Sequence, residues 1–220
     1  MTGGNCDLDD VWYRNEVFTI TGMTVDDSST IQPLAKSTRV LVLGDSITAG
    51  CWVAGKHASA DYRPESNYLA VAQDLLPQME IHRVAYSAAG VLRPGTGNVP
   101  PAHGWLNQLN AQTEAPVKHF NLVIIALGVN DRRFSTGEFR QAYTEYVKAV
   151  QKRYQCSVAL IVPFLQSFAQ EITTIGKEMN IPVIPTVDWC LETVDGLHPN
   201  QRGSLTAGQH FAQALSQLVQ

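Results

Sequence analysis

The chain has 220 residues, 45% of them apolar and 16% charged, with a net charge of −4. That suits one globular domain large enough to bury a core without staples. It argues against a nucleic-acid or anionic-membrane surface, since there is no basic run, and against a membrane span, since no uninterrupted apolar stretch is long enough.

In chain order, residues 1–36 read as an N-terminal extension, too short for a domain, with weak strand-like alternation around Val17-Phe18-Thr19-Ile20-Thr21. The main domain is expected over 37–220. Strand-like runs follow at 39–43, 80–86, 122–127, 158–162 and 181–184. They are short and rich in valine and isoleucine, as strands covered on both faces should be. Pro182 removes a ladder donor, so the last run fits a sheet edge.

Helical patterns lie between the strands. One is expected from Asn67 to Leu76, ended by Pro77. Over 138–154, Phe139, Tyr143, Tyr146, Val147, Val150 and Tyr154 recur at spacings of 4, 3, 1, 3 and 4, one face of an α-helix. Ser135 or Thr136 suits its N-cap, with Glu138 in the first turn. The last helix carries Leu205, Phe211, Ala212, Leu215 and Leu218 as its expected apolar face. Alternating strands and helices imply βαβ crossovers, and so a parallel sheet with helices on both faces. Residues 87–104 break this rhythm with four glycines and three prolines, which reads as functional surface.

The chemistry-bearing residues cluster at strand ends. Gly44-Asp45-Ser46-Ile47-Thr48-Ala49-Gly50 follows the first strand directly, so the Ser46 hydroxyl emerges where open α/β sheets place their sites. Alone, that serine would be an ordinary helix N-cap, and Asp45 suits a turn-forming acceptor. Gly128-Val129-Asn130-Asp131 ends the third strand, and Asp195-Gly196-Leu197-His198-Pro199-Asn200 precedes the last helix. Five other histidines compete with His198. His82 lies in a strand pattern and His210 in a helix, whereas Pro199 keeps His198 out of helical geometry. Acyl transfer needs a nucleophile, a base and oxyanion donors. Ser46, His198 and Asp195 fit nucleophile, base and orienting carboxylate, with Asp188 the alternative carboxylate. The Ser46 N–H and the Asn130 side-chain amide fit the oxyanion.

Serine, asparagine and an Asp-x-x-His pair in this order resemble the SGNH (GDSL-type) esterases and lipases over roughly residues 38–218. The resemblance implies a three-layer αβα sandwich with a central five-stranded parallel sheet in flavodoxin-like order. It adds the Gly90 N–H, in Tyr86-Ser87-Ala88-Ala89-Gly90, as a third oxyanion donor. It implies no metal or organic cofactor. Within the group, Phe18-Thr19-Ile20-Thr21-Gly22, Glu65-Ser66-Asn67-Tyr68-Leu69-Ala70 and 195–200 look most like the acetyl esterases of carbohydrate esterase family two.

The expected activity is therefore a serine esterase acting on small acyl esters, first of all acetyl groups on carbohydrates. Trp52, Trp105 and Arg93 fall near the catalytic-edge loops as candidate substrate contacts; a tryptophan there can stack on a sugar or pack the loop. Two alternatives stand beside this one. The first is a lipolytic esterase or thioesterase for longer chains; the second is an inactive carbohydrate-binding protein on the same fold. The polar, acidic N-terminus is not a signal peptide as it stands, which leaves cytoplasm and secretion after processing both open. The four cysteines have no metal-type spacing and leave room for one disulfide among Cys6, Cys51 and Cys190.

Overall fold

A computed structural model of the chain describes residues 10–13, 21–30, 38–56, 61–115 and 119–219. The first half of the main body runs β1 (Thr38–Gly44), α1 (Ser46–Ala49), α2 (Tyr68–Leu75), β2 (Met79–Ala85), α3 (Ala102–Trp105) and β3 (Leu122–Ala126). A 3₁₀ turn (Val129–Asp131) leads into α4 (Thr136–Tyr154), followed by β4 (Ser157–Ile161), α5 (Ala169–Met179), β5 (Val183–Ile184) and α6 (Gln201–Leu218). The five strands form one parallel sheet in the order β2-β1-β3-β4-β5, the flavodoxin-like winding expected from the sequence. After β1 the chain goes one way to β2, then returns past β1 to β3. The crevice at the carboxyl ends of β1 and β3 is therefore the topological switch point.

Alternation along each strand divides the core in two. Leu41, Leu43, Val123 and Ile125 face α4 and α5, packing with Phe139, Tyr143 and Ile172. Val40, Val42 and Ile124 face α2 and α6, packing with Tyr68, Leu69 and Phe211. Both faces are covered, which is why the strands read as nearly unbroken apolar runs. β5 is confined to two residues at the sheet edge because Pro182 offers β4 only its carbonyl, which accepts from Leu160 N–H at 2.9 Å.

Helix termini follow the sequence closely. Ser135 caps α4 in a capping box with Glu138. Asn67 caps α2, its side chain accepting from Leu69 and Ala70 N–H. The expected face of α6 needs correction: Leu205 is 50% exposed, and Ser204, Ala207, Gly208, Phe211, Ala212 and Leu215 are buried instead. Leu205 lies six residues before Phe211, about 120° round the helix. Gly208 lets α6 approach α2 closely; a Cβ there would meet Val71 and the Tyr68 carbonyl. α5 had no expected counterpart, although Ile172 and Ile175 form its buried stripe.

Trp12 is buried in the core of the main body. Its N–H donates to Gly97 O at 3.0 Å and its carbonyl accepts from Ala111 N–H at 2.9 Å. The strand expected at 17–21 lies, except for Thr21, outside the described residues. Cys6 does too, while Cys156 and Cys190 are free thiols. Among the described residues no helix is long and apolar enough to cross a membrane.

Candidate active site

The turn after β1 is built around small residues. A Cβ at Gly44 would collide with Thr48, so glycine lets the strand bend directly into α1. Asp45, not Ser46, is the helix N-cap, its Oδ1 accepting from Ile47 N–H at 3.0 Å. Gly50 closes the helix at φ +88°, a left-handed conformation that suits glycine. Asn67 fastens the turn from the side by donating to the Thr48 carbonyl at 2.8 Å.

On this turn Ser46 Oγ lies 2.9 Å from His198 Nε2. His198 Nδ1 lies 2.9 Å from Asp195 Oδ2, while Asp195 Oδ1 accepts from the His198 and Leu197 N–H groups at 2.7 and 3.1 Å. A proton on Nδ1 satisfies the line, leaving Nε2 to accept from the serine. Ser46 and His198 are each only 6% exposed. The histidine loop is strapped back on itself: Val194 N–H donates to His198 O at 2.8 Å and Asn200 N–H to Glu192 O at 3.0 Å. Burial pushes the Asp195 carboxyl up, but the bonds from His198 and Leu197 outweigh it and hold the group below the usual aspartate range. Asp188 is exposed, so it is not the buried partner of the imidazole.

Asn130 emerges from the turn after β3. Its Nδ2 donates to Ala89 O at 3.0 Å and lies 3.5 Å from Asp45 Oδ2, which places the amide between the ends of β1 and β2. Gly90 departs from expectation. Its N–H already donates to Arg93 O at 2.9 Å. What the position requires is a missing side chain, because a Cβ would run into the Asp131 carboxylate. Ala88 holds φ +58° nearby, and neither its N–H nor that of Ser46 has a partner among the described residues.

Asp131 is the residue that sequence reasoning passed over. Fully buried, it accepts from the N–H groups of Val91, Leu92 and Arg93 at 2.9–3.0 Å and so pins the loop after β2 to the β3 turn. Burial raises its pKa against those three bonds. The loop is thus internally tied, with Val91 and Val99 in the core. Arg93 takes part through its backbone.

The two tryptophans separate. Trp105, expected as a substrate contact, is 1% exposed and packs against Tyr86 and Tyr146, so it has no free face for a sugar. Trp52 meets the His198 ring edge-on at 4.7 Å between centroids and holds φ +58°, an unusual conformation for a bulky residue.

Asp45 titrates against its burial. Desolvation, with the Asp131 charge nearby, pushes it up to about 7 despite the Ile47 N–H bond. A carboxyl raised on folding stabilises fully below its unfolded value of 3.8, and that stability is lost as pH rises towards 7. Wild-type protein is therefore expected to lose a few kcal/mol between pH 4 and pH 7 from this group. Asp45→Asn keeps an N-cap acceptor and should flatten that slope in denaturant titrations. An unchanged slope would show that Asp45 ionises freely.

An open α/β sheet with a hydroxyl–imidazole–carboxylate line at its switch point has the layout of a serine-type hydrolase. The chain belongs to the GDSL-like lipase/acylhydrolase family, matched over residues 42–205, and is a carboxylic ester hydrolase. No curated protein sequence matches it. Among solved structures it is similar to a carbohydrate esterase family 2 enzyme with a carbohydrate-binding domain from Corynascus thermopiles (Myceliophthora fergusii). That likeness has a TM-score of 0.72 at 19% identity, covering 86% of this chain and 69% of the other. A family two carbohydrate esterase from Clostridium thermocellum in complex with cellohexaose gives 0.71 at 16%, covering 86% and 67%. Est24, a carbohydrate acetylesterase from Sinorhizobium meliloti, gives 0.65 at 19%, covering 83% and 100%. The chain spans 62–69% of the length of the family two structures it resembles. At these identities the likeness speaks for the fold.

Proposed function

We propose that this esterase removes acetyl groups from carbohydrates through an acyl-enzyme on Ser46. The observation that carries the mechanism is the unbroken line from Ser46 Oγ through the imidazole to Asp195, with both links at 2.9 Å. His198 Nε2 takes the hydroxyl proton as Oγ bonds to the ester carbonyl carbon, and Asp195 steadies the imidazolium. The Ser46 N–H and the second N–H of the Asn130 amide receive the oxyanion, and the Ala88 N–H takes the place first given to Gly90. The ester C–O bond breaks as the imidazolium returns its proton to the departing alkoxide. Water, deprotonated by the same nitrogen, then releases the acid and regenerates Ser46. Residues 37–220 supply this machinery, and residues 1–36 are an extension whose Trp12 end packs on it.

The small acyl group finds support in the space beside the nucleophile turn. A cavity of about 30 Å³ there is lined by Asp45, Ile47, Val129 and Phe164 among others, which is room for a methyl group and little more. The choice of a carbohydrate carrier draws its support from the family two and acetylesterase structures that share this fold. kcat/KM for p-nitrophenyl esters should be highest for acetate and fall through butyrate to octanoate, and acetylated xylo-oligosaccharides should release acetate. A profile peaking at eight carbons would replace this substrate with a lipid or thioester. No turnover of any ester by folded protein would favour a carbohydrate-binding protein.

A further inference from the structure

Two spaces meet at one aromatic ring beyond the nucleophile turn. The small cavity, about 30 Å³, is bounded by Asp45 and Ile47 on either side of Ser46, by Val129 next to Asn130, and by Val162, Pro163 and Phe164 after β4. Its lining residues flank the serine and the asparagine in the chain, so it adjoins the turns that carry both groups, and it is the space we assign to the acyl substituent. A larger groove of about 220 Å³ runs along the histidine loop, with Phe164, Leu165, Leu191 and Leu197 on its apolar side and Thr186 and Thr193 among its polar lining. Among the described residues Phe164 is the one residue that lines both.

The ring is held rather than loose. It meets Tyr68 edge-on at 5.9 Å and lies tilted against Trp189 at 5.5 Å. Its turn is tied down by Gln166, whose N–H donates to Pro163 O at 2.8 Å and whose side chain donates to Thr186 Oγ1 at 2.8 Å. A fixed aromatic wall between a methyl-sized space and an open groove of mixed polar and apolar lining sets a length limit on what enters.

We infer that Phe164 is the partition that ends the acyl pocket, and that removing its ring joins the pocket to the groove and admits longer acyl chains. This rests on the acetyl esterase reading above. Phe164 acts on specificity and takes no part in bond making. Each methylene that then gains apolar wall should improve kcat/KM about fourfold, the equivalent of about 0.8 kcal/mol per buried CH₂.

The test compares p-nitrophenyl acetate, butyrate, hexanoate and octanoate on wild type, Phe164→Leu and Phe164→Ala. Thermal melts and stoichiometric phosphonate labelling establish the fraction of folded sites. The butyrate-to-acetate ratio of kcat/KM should rise tenfold or more in Phe164→Ala and several-fold in Phe164→Leu, with hexanoate gaining further. Phe164→Leu keeps apolar contact with Tyr68 and Trp189, so it carries the test if the alanine variant does not fold. A wild-type preference for acetate that persists unchanged in the folded variants would overturn the partition and leave the acetyl reading standing. A wild type that already prefers hexanoate or octanoate would overturn both, since no ring could then be closing the pocket.

Discussion

Ser46→Ala is expected to lower kcat on p-nitrophenyl acetate by roughly 10⁴- to 10⁶-fold, the loss typical of removing a triad nucleophile. The substitution deletes one hydroxyl and leaves α1 otherwise intact. Its N-cap belongs to Asp45, and the Ser46 carbonyl still accepts from Cys51 N–H at 2.9 Å. The cost to stability should be about 1 kcal/mol, one side-chain hydrogen bond. Melting and kcat therefore separate cleanly. His198→Ala should be as damaging, and the double variant hardly worse, because nucleophile and base act as a unit. A serine-reactive phosphonate should add one label to wild type, on Ser46, and none to Ser46→Ala. Retention of activity within tenfold, or labelling at another serine, would remove Ser46 from the mechanism.

The legible parts of the molecule were those whose determinants are local. Apolar runs rich in valine, leucine and isoleucine mark β1, β3 and β4, and a serine or threonine cap at 135–136 with Glu138 in the first turn marks the start of α4. Asp195 and His198 are three apart, so a single loop turn suffices to join them. Ser46 and His198 are 152 positions apart, and nothing local announces their meeting. The resemblance in motif order supplied that pairing, because it encodes the topology that the local pattern lacks.

What sequence reasoning missed depends on which way a group faces. Tryptophan reads the same whether its ring stacks on a ligand or fills a core, and Trp105 does the latter. Gly90 was expected for its N–H but is needed for its missing Cβ, since Asp131 occupies the space. Asp131 itself reads as turn composition until its three backbone donors, 38–40 residues away, are seen around it. In α5 the buried Ile172 and Ile175 are interrupted by Thr173 and Thr174, β-branched residues that weaken a helical signal. Its first residue follows Phe168, which makes no side-chain cap.

Asp195→Asn should be nearly as damaging as loss of the base, at a cost of about 10³- to 10⁴-fold in kcat, for a reason visible in the hydrogen bonds. The carboxylate makes two kinds of contact: Oδ1 takes the backbone N–H groups of Leu197 and His198, and Oδ2 takes the imidazole Nδ1–H. An asparagine keeps the first with its carbonyl oxygen, so the loop should stay folded. Its amide nitrogen then faces Nδ1, and two donors cannot share that bond. The ring must carry its proton on Nε2, where it can no longer accept from Ser46, the wrong-tautomer effect known for serine proteases at about this magnitude. Turning the amide round would set its NH₂ against two backbone donors, which is worse. KM should change little, and the rate of phosphonate labelling should fall by the same factor as kcat, since both begin with proton transfer to Nε2. Asp195→Ala should lose the loop anchors as well, and so lower the melting temperature where Asp195→Asn does not. If Asp195→Asn cost less than tenfold, the carboxylate would be a staple for the loop at 195–198, and the imidazole would be oriented without it.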